Sequence, residues 1–211
     1  GPTYNSPVSK YTLSRSENRV MVLSNTLNYL KVFKEKHNFN ALLGQEIQNL
    51  NSNNVQAERS EIPSSVANPT LGSGNVSTST NNGGISESKL LSFFGRLNYN
   101  YDERYLITAT YRFDGSSRFG ENERWGKFPS VAVGWNVHNE HFYNIGFLNQ
   151  LKFRAGWGQT GNQNIPNSAT FNTLNLNTNY IYGADQTTTV GAAPLRPGNQ
   201  DLKWETTVTK N

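Results

Sequence analysis

Cysteine is absent from the 211 residues, methionine occurs once, and charged residues make up only 16% of the chain. The lack of cysteine excludes a disulfide scaffold and any thiolate metal site. The sequence also lacks a run of 18 apolar residues, so it predicts no transmembrane helix. Sparse charge together with 12% aromatic residues is not the composition of a chain that is disordered throughout. These absences leave a chain that folds without disulfides.

A dense basic run and a catalytic motif are also missing. The 19 lysines and arginines, which leave a net charge of +4, are scattered along the chain, so nucleic acid is not an expected partner. The sequence contains no G-x-S-x-G motif and no pair of carboxylates spaced for acid and base roles. We therefore expect neither an enzyme nor a cofactor.

The chain is instead rich in polar residues that suit strands and turns, with 30 Asn, 19 Ser, 18 Thr and 18 Gly. This inventory disfavours helical packing and predicts an all-β fold. The mean hydropathy of −0.66 does not exclude a membrane protein. A membrane β-barrel needs only one apolar face, so its average hydropathy can be low.

Strands are predicted where apolar and polar residues alternate. Residues 91–101 carry Leu, Phe, Gly, Leu, Tyr and Tyr at odd positions, and 105–113 resume the pattern after a tight turn at Asp102 and Glu103. Shorter or weaker alternation predicts further strands, at 19–33, 39–47, 129–137, 151–157 and from Lys203 onward. The sequence therefore predicts about seven strands in antiparallel order.

The predicted connections alternate between short and long. Short turns fall near Lys34 to His37 and at Asp102 to Glu103, whereas long polar loops are predicted near 60–88, 115–126 and 161–198. Short turns at one rim and long loops at the other are typical of an up-and-down outer-membrane barrel. Residues 1–18 are predicted to be an N-terminal linker, with Gly1 and Pro2 compatible with a cloning remnant, and 19–211 to be barrel wall.

In the five clearest predicted strands (39–47, 91–101, 105–113, 129–137 and 151–157), every charged residue lies opposite the apolar side, and these residues are Glu46, Arg96, Arg112, Lys152 and Arg154. A half-buried soluble sheet would show the same segregation. Aromatic residues near the predicted strand ends are typical of membrane barrels, and these are Tyr99, Tyr101, Tyr105, Trp135 and Trp157. We predict that the four cations face a lumen and that odd-numbered residues face lipid, including Leu97, Ile107, Val133 and Phe153.

The chain resembles the barrel of SusC/RagA-type TonB-dependent outer-membrane transporters, most closely in FFGRLNYNYDERYLITATYRFDGSSRFGENERWGKFPSVAVGWNV at 93–137. Three further segments support the resemblance in family order: HNFNALLGQE at 37–46, LKFRAGWGQTGNQNI at 151–165 and NQDLKWET at 199–206. The last segment has Gln200 where the family usually has proline. Together these segments are spread in family order across residues 37–206.

The resemblance implies a transmembrane barrel of roughly 22 strands in the bacterial outer membrane, of which this chain is an internal fragment and a partial wall. It implies a plug domain that this chain lacks, through which the TonB complex acts, and a SusD-like surface lipoprotein lid. Outer-membrane lipid and the rest of the barrel are the other implied partners. The implied function is import of a nutrient solute, either an oligosaccharide or a peptide.

Contacts with the solute are predicted for aromatic and amide side chains on the long loops. Aromatic rings stack on sugar rings, and amides hydrogen-bond hydroxyl groups. The candidates are Trp125, Asn162, Gln163, Tyr180 and Tyr182. The same residues would also suit loop packing, or the alternative class of protein, a secreted soluble β-sandwich that binds glycans.

Three other residue groups have ligand-binding spacing without the expected context. Gly156, Gly158 and Gly161 match a dinucleotide-binding pattern, but no helix is predicted after them. His138, Glu140 and His141 are not expected to bind a metal, because they lie in a turn. Asp114, Glu121 and Glu123 are not expected to bind Ca²⁺, because their order lacks the EF-hand pattern.

Overall fold

The computed structural model describes residues 9–211, except for the side chains of Asn177 and Tyr182. The strands are β1 (Lys10–Phe33), β2 (His37–Ser60), β3 (Thr80–Tyr101), β4 (Tyr105–Ser116), β5 (Trp125–Asn136), β6 (Lys152–Asn162), β7 (Thr173–Tyr182), β8 (Thr187–Arg196) and β9 (Glu205–Lys210). Helical structure in these residues is limited to short 3-10 turns, at Leu71–Ser73, Val76–Thr78, Glu121–Glu123 and Val137–Asn139. No helix within 9–211 is long and apolar enough to cross a membrane.

Seven strands form one open antiparallel sheet in the order β1-β2-β3-β4-β5-β6-β9. Strand neighbours follow chain order, except that β7 and β8 pair with each other in a separate hairpin between β6 and β9. The sheet does not close on itself, since β1 and β9 are its two edges. This arrangement confirms the predicted all-β fold with a partial wall of seven strands.

Some strands are longer than predicted. β1 begins at Lys10, so the assignment of residues 10–18 to a linker was wrong. β3 begins at Thr80, so the second part of the predicted loop 60–88 is also strand. These added segments are mostly polar, and they therefore lack the apolar alternation on which the prediction depended. Backbone pairing with a neighbouring strand holds such segments extended without burial of an apolar face.

The predicted loop 161–198 was likewise wrong in part, because it contains the β7–β8 hairpin. The two strands meet at a turn in which Gly183 adopts a left-handed backbone, with φ of 81°. β7 is rich in asparagine and β8 begins with three threonines and contains Gly191 and Pro194, so the segment was interpreted as a loop. The pairing is irregular at its base, with register shifts between Thr173 and Thr178.

The chain divides into two compact units. The first unit contains Gly1–Met21 and Leu50–Glu87, and the second unit contains Val22–Asn49 and Ser88–Asn211. Within the first unit, polar contacts join the strands. Lys10 and Glu58 form an ion pair of 2.7 Å, and the Thr12 hydroxyl donates to the same carboxylate. The Arg59 guanidinium donates a hydrogen bond to the Ser79 hydroxyl at 2.9 Å.

Within the second unit, strand register defines two faces of the sheet. Residues directly opposite each other share a face, and one such row is Tyr99, Ile107, Val133 and Ala155. The odd-numbered residues of β3 to β6 thus form one surface, the apolar face. The even-numbered residues form the opposite surface, the polar face, with a row of Asn98, Thr108, Ala132 and Gly156.

Few large side chains are buried in the second unit. Phe119, Phe128 and Val137 are the buried hydrophobic residues among those described, and they lie at the ends of the sheet. Along the apolar face, Val133 and Phe153 are 49% and 57% exposed. A soluble domain rarely leaves a contiguous apolar surface of this kind uncovered.

Candidate functional site

Aromatic rings border the apolar face at the end of the sheet that carries the turns 34–36 and 102–104, the short-turn end. Tyr101, Tyr105, Trp135 and Phe153 occupy one row across β3 to β6, and neighbouring ring centroids lie 6.3, 6.5 and 6.2 Å apart. The first two pairs are stacked. A row of rings where apolar surface gives way to polar turns is the arrangement found at a membrane interface.

A second aromatic border lies at the opposite, long-loop end. Phe113 and Trp125 stack with centroids 4.5 Å apart, and Trp125 pairs in register with Gly115 on the apolar face. Tyr105 and Phe113 are separated along β4 by about 27 Å, or about 21 Å along the axis of a barrel with strands tilted by ~40°. This height is comparable to the ~25 Å apolar band of outer-membrane barrels.

The structure changes the interpretation of two tryptophans. Trp125 was predicted to be a loop residue that contacts solute, but it begins β5 and lies on the apolar face, away from the polar one. Trp157, which was expected near a strand end, lies in the middle of β6 opposite Val131. Both errors arise from strand boundaries, since β5 starts earlier and β6 ends later than the alternation indicated.

Lys127 and Lys210 are charged residues on the apolar side of the sheet. Lys127 pairs in register with Phe113 near the long-loop end, and Lys210 pairs with Trp157 in the middle of the face. The first lies at the aromatic border, where a long side chain can extend its ammonium into water. Both positions fall outside the strands on which the charge pattern was counted.

The polar face carries the four predicted cations. Among them, Arg112 forms hydrogen bonds and an ion pair with other residues of the sheet. Its Nε donates to Asp114 Oδ2 at 2.8 Å, and its terminal amino group donates to Ser92 Oγ at 2.8 Å. The guanidinium lies 5.6 Å from the Phe94 ring centroid. That ring covers Gly44, where an added Cβ would lie 2.3 Å from it. These contacts hold Arg112 in one orientation.

The other three cations, Arg96, Lys152 and Arg154, have exposed side chains on the same face. Among the described residues, no carboxylate lies within ion-pair distance of any of them. Lys152 pairs in register with Asn136 and Arg154 with Gly134, close to the short-turn end.

The remaining solute candidates do not form a single site. The Asn162 amide donates to Glu205 across the β6–β9 pair at 3.0 Å, and Gln163 follows directly after β6. Tyr180 lies within the β7–β8 hairpin, where its hydroxyl donates to the Ala192 carbonyl and its ring covers Gly191. The Tyr182 side chain lies outside the described part of the structure.

A small aromatic core at the long-loop end was missed by the sequence analysis. Phe119 is 2% exposed and packs with its centroid 5.1 Å from Trp204, which also contacts Phe128 at 5.2 Å. The Trp204 indole donates to the Arg124 carbonyl at 3.0 Å. This core joins the β4–β5 connection to the segment before β9.

Glycines make the close approach in this core possible. An added Cβ at Gly120 would lie 2.4 Å from the Gln200 carbonyl oxygen, and one at Gly161 would lie 2.1 Å from the Phe128 ring. The nearest atoms of residue 200 belong to its backbone, so this contact does not depend on whether the side chain is glutamine or the usual proline. The glycine spacing at Gly156, Gly158 and Gly161 likewise lies within β6, where it serves strand packing.

Ion pairs and hydrogen bonds organise the short-turn end. Arg104 forms ion pairs with Asp102 and, at 3.1 Å, with Glu140, whose side chain is 8% exposed. The Trp135 indole donates to Glu140 at 2.9 Å. Hydrogen bonds from Tyr105 and Trp135, followed by the contact with Arg104, hold the pKa of Glu140 below its usual value. The same carboxylate and Asp102 raise the pKa of Arg104.

These contacts also account for the polar groups that had metal-binding spacing. Glu140 is bound by Arg104 and Trp135, and His138 Nδ1 lies 3.0 Å from the Leu151 carbonyl oxygen. Asp114 lies on the polar face with Arg112, apart from the loop that carries Glu121 and Glu123. Within residues 9–211, no group of three or more such side chains is placed to hold a metal ion.

A one-sided apolar sheet with aromatic borders, polar on its other face, is the wall of a membrane β-barrel. Residues 2–211 match the family model described as TonB dependent receptor-like, beta-barrel, and the chain belongs to this family. Proteins of this family are outer-membrane transporters rather than enzymes, which agrees with the sequence-based expectation and removes the alternative of a soluble sandwich.

The relatives agree with the SusC/RagA type. The chain is 36% identical to TonB-dependent receptor P39 of Formosa agariphila, over 89% of this chain and 18% of that protein. It is 43% identical to TonB-dependent receptor SusC of Bacteroides thetaiotaomicron, over 60% of this chain and 13% of that protein.

Solved structures with the same fold include the RagAB peptide transporter, with a TM-score of 0.80 and 28% identity over 98% of this chain and 22% of that chain. The RagAB peptide importer in its open-open state gives a TM-score of 0.81 with 28% identity, over 100% of this chain and 22% of that chain. The chain therefore spans about one fifth of the length of these relatives.

Proposed function

We propose that this chain is part of the wall of an outer-membrane importer of nutrient solutes. The observation that carries the proposal is the predominantly apolar face, bordered by aromatic rings at both ends and opposed by a polar face. The apolar face contacts lipid, including Leu97, Ile107, Val133 and Phe153. The polar face lines the lumen, including Arg96, Arg112, Lys152 and Arg154. The wall breaks no bonds and guides the solute.

Strand length supports a wall that projects beyond the membrane. β1 and β2 each contain 24 residues, whereas a transmembrane strand needs only about 9–11 residues. The excess length belongs to the side that carries the long connection between β2 and β3, which we assign to the cell exterior. The turns 34–36 and 102–104 belong to the periplasmic side.

The solute and partners follow the family. Solved relatives are described as peptide transporters, and sugar import is the alternative that the aromatic and amide residues favour. We retain Asn162, Gln163, Tyr180 and Tyr182 as candidates for solute contact and remove Trp125, because it is on the apolar face. A SusD-like lipoprotein lid outside the barrel and the TonB complex, acting through a plug domain, complete the proposed assembly.

The sidedness of the wall can be tested with single cysteines in the full-length transporter, since this chain has none of its own. Ser65→Cys lies in the long connection and Glu103→Cys in a short turn, and both positions are exposed. On intact cells, a membrane-impermeant thiol reagent should label position 65 and spare position 103, and both should react after lysis. Labelling of position 103 alone would reverse the proposed orientation. If neither position reacts until the cells are lysed, the protein is not exposed at the cell surface.

A further inference from the structure

Lys31 lies on the apolar face near the short-turn end. Leu43 of β2 comes within 3.3 Å of an added Cβ at Gly95, so the odd-numbered residues of β2 share the apolar face with those of β3. The ring of Phe39 therefore lies on that face, and it contacts Tyr29 of β1 with centroids 6.4 Å apart. Lys31, two residues after Tyr29 on the same strand, lies on the same face.

Among the described strands of the second unit, no carboxylate lies on the apolar face beside Lys31. At the short-turn end, Asp102 and Glu140 are both bound by Arg104. The Lys31 ammonium has no ion-pair partner among the described residues, and it lies 5.6 Å from the centroid of the Phe33 ring. The acidic residues of these strands lie on the polar face, and they are Glu46, Asp114 and Glu205.

The contact with Phe33 places the ammonium at the depth of the aromatic border. Phe33 ends β1, and the turn 34–36 brings it opposite His37, the first residue of β2. The His37 ring lies 4.8 Å from Tyr101, which belongs to the aromatic row of the short-turn end. Such a row marks the level of the lipid headgroups. The Lys31 side chain therefore extends from the apolar face to the headgroup level.

His37 provides a second hydrogen-bonding group at this level. Its Nδ1 lies 2.8 Å from the Tyr99 hydroxyl, and its Nε2 has no partner among the described residues. When the hydroxyl donates to Nδ1, Nε2 carries the proton and is a further donor. Lys31 and His37 then offer N–H donors and no acceptor. Such donors at the headgroup level suit an anionic oxygen, and phospholipid headgroups supply one in their phosphate.

We propose that Lys31 and His37 bind the phosphate of a phospholipid in the periplasmic leaflet. The inference rests on the proposed function, which places the apolar face in lipid and the short-turn end at the periplasm. The apolar face continues directly to these two residues, so a lipid whose acyl chains lie on that face presents its headgroup to both donors. Opposite charge at a partly desolvated border makes this hydrogen bond stronger than one to water.

Native mass spectrometry of the full-length transporter measures this lipid directly. The protein is purified in dodecyl maltoside, which lacks phosphate, and is titrated with phosphatidylglycerol. Lys31→Gln should weaken binding of the most tightly retained lipid about tenfold, as expected for loss of a hydrogen bond to a charged group. Lys152→Gln is the matched control, because Lys152 lies at the same end of the sheet on the polar face. The control should bind the lipid like the wild type.

Photolabelling in vesicles of phosphatidylethanolamine and phosphatidylglycerol locates the headgroup. A phosphatidylglycerol analogue with a diazirine on its headgroup should label the segment 31–37 in the wild type and in Lys31→Arg, which keeps the charge. Labelling of this segment should be about tenfold lower in Lys31→Gln. An analogue with the diazirine on its acyl chain should label Ile107 equally in all three proteins.

The outcomes separate this proposal from the proposed function. Equal lipid retention or equal headgroup labelling in the wild type and Lys31→Gln would overturn the proposal, as would an equal loss in Lys152→Gln. Displacement of the retained lipid by excess inorganic phosphate would assign the site to a free anion and would also overturn it. If the acyl-chain analogue does not label Ile107, the apolar face does not contact lipid, and the proposed function itself fails.

Discussion

At the short-turn end of the sheet, Arg104 and Glu140 join β4 to the β5–β6 connection through ion pairs and hydrogen bonds. At the long-loop end, Phe119, Phe128 and Trp204 join the connections by packing. A three-residue turn contributes few apolar atoms to packing, so directional polar contacts hold it instead. The long-loop end must anchor the segment from residue 163 to 204, and a desolvated aromatic core can do so from residues distant in sequence.

Truncation of the aromatic core should have the largest effect. Phe119→Ala should lower the free energy of unfolding by about 3–5 kcal/mol, because a fully buried phenylalanine leaves a cavity when removed. Phe147→Ala is the control, since Phe147 is 91% exposed. Urea denaturation of the full-length transporter in lipid vesicles measures both. Equal losses in the two variants would show that packing does not hold the long-loop end.

A charged substitution on the apolar face between the two ends should destabilise the protein, because this face contacts lipid. Ile107→Arg should cost about 2 kcal/mol, because position 107 lies between the aromatic row at Tyr105 and the middle of the apolar face. Thr108→Arg, on the polar face of the same strand, should cost less. Spin labels at the two positions provide an independent measurement. Equal accessibility of 107 and 108 to lipid-soluble and water-soluble quenchers would contradict the assignment of faces.

A glycine substitution tests the close approach at the long-loop end. Gly120→Ala should destabilise by about 1–3 kcal/mol, the usual range for overpacking, since its Cβ would meet the Gln200 carbonyl. Gly146→Ala is a matched control, because nothing lies within 4 Å of an added Cβ there. The same urea denaturation experiment measures both variants. Equal free energies of unfolding would mean that the backbone at residue 200 moves away from residue 120 at little cost.

The smallest effect is expected at the short-turn end. Glu140→Gln should lower the thermal midpoint by about 2 °C at neutral pH, because the glutamine oxygen can still accept from Trp135 and Asp102 still pairs with Arg104. The pKa of Glu140 is lowered in the folded protein, so its contribution is present above the usual value of 4.5 and is lost as pH falls through the folded value. The difference between wild type and E140Q should therefore shrink below about pH 4.5. A difference that stays constant down to pH 3 would contradict this origin.

The sequence by itself determined the strands in which apolar and polar residues alternate, and with them the two faces of the second unit. The pairs Leu97 with Ala109 and Ile107 with Val133 lie where the period of two predicts. Family membership could also be predicted, because it depends on local motifs such as the segment at 93–137. A local pattern is sufficient for both conclusions, since side chains on a strand alternate without help from distant residues.

Only the tertiary structure decided the rest. The polar strand segments at 10–18 and 80–88 and the β7–β8 hairpin are extended through pairing with a neighbour, which leaves no period in their own sequence. The core of Phe119 and Trp204 joins residues 85 positions apart. Backbone pairing and long-range packing depend on which segments meet in space, and no short stretch of sequence records that.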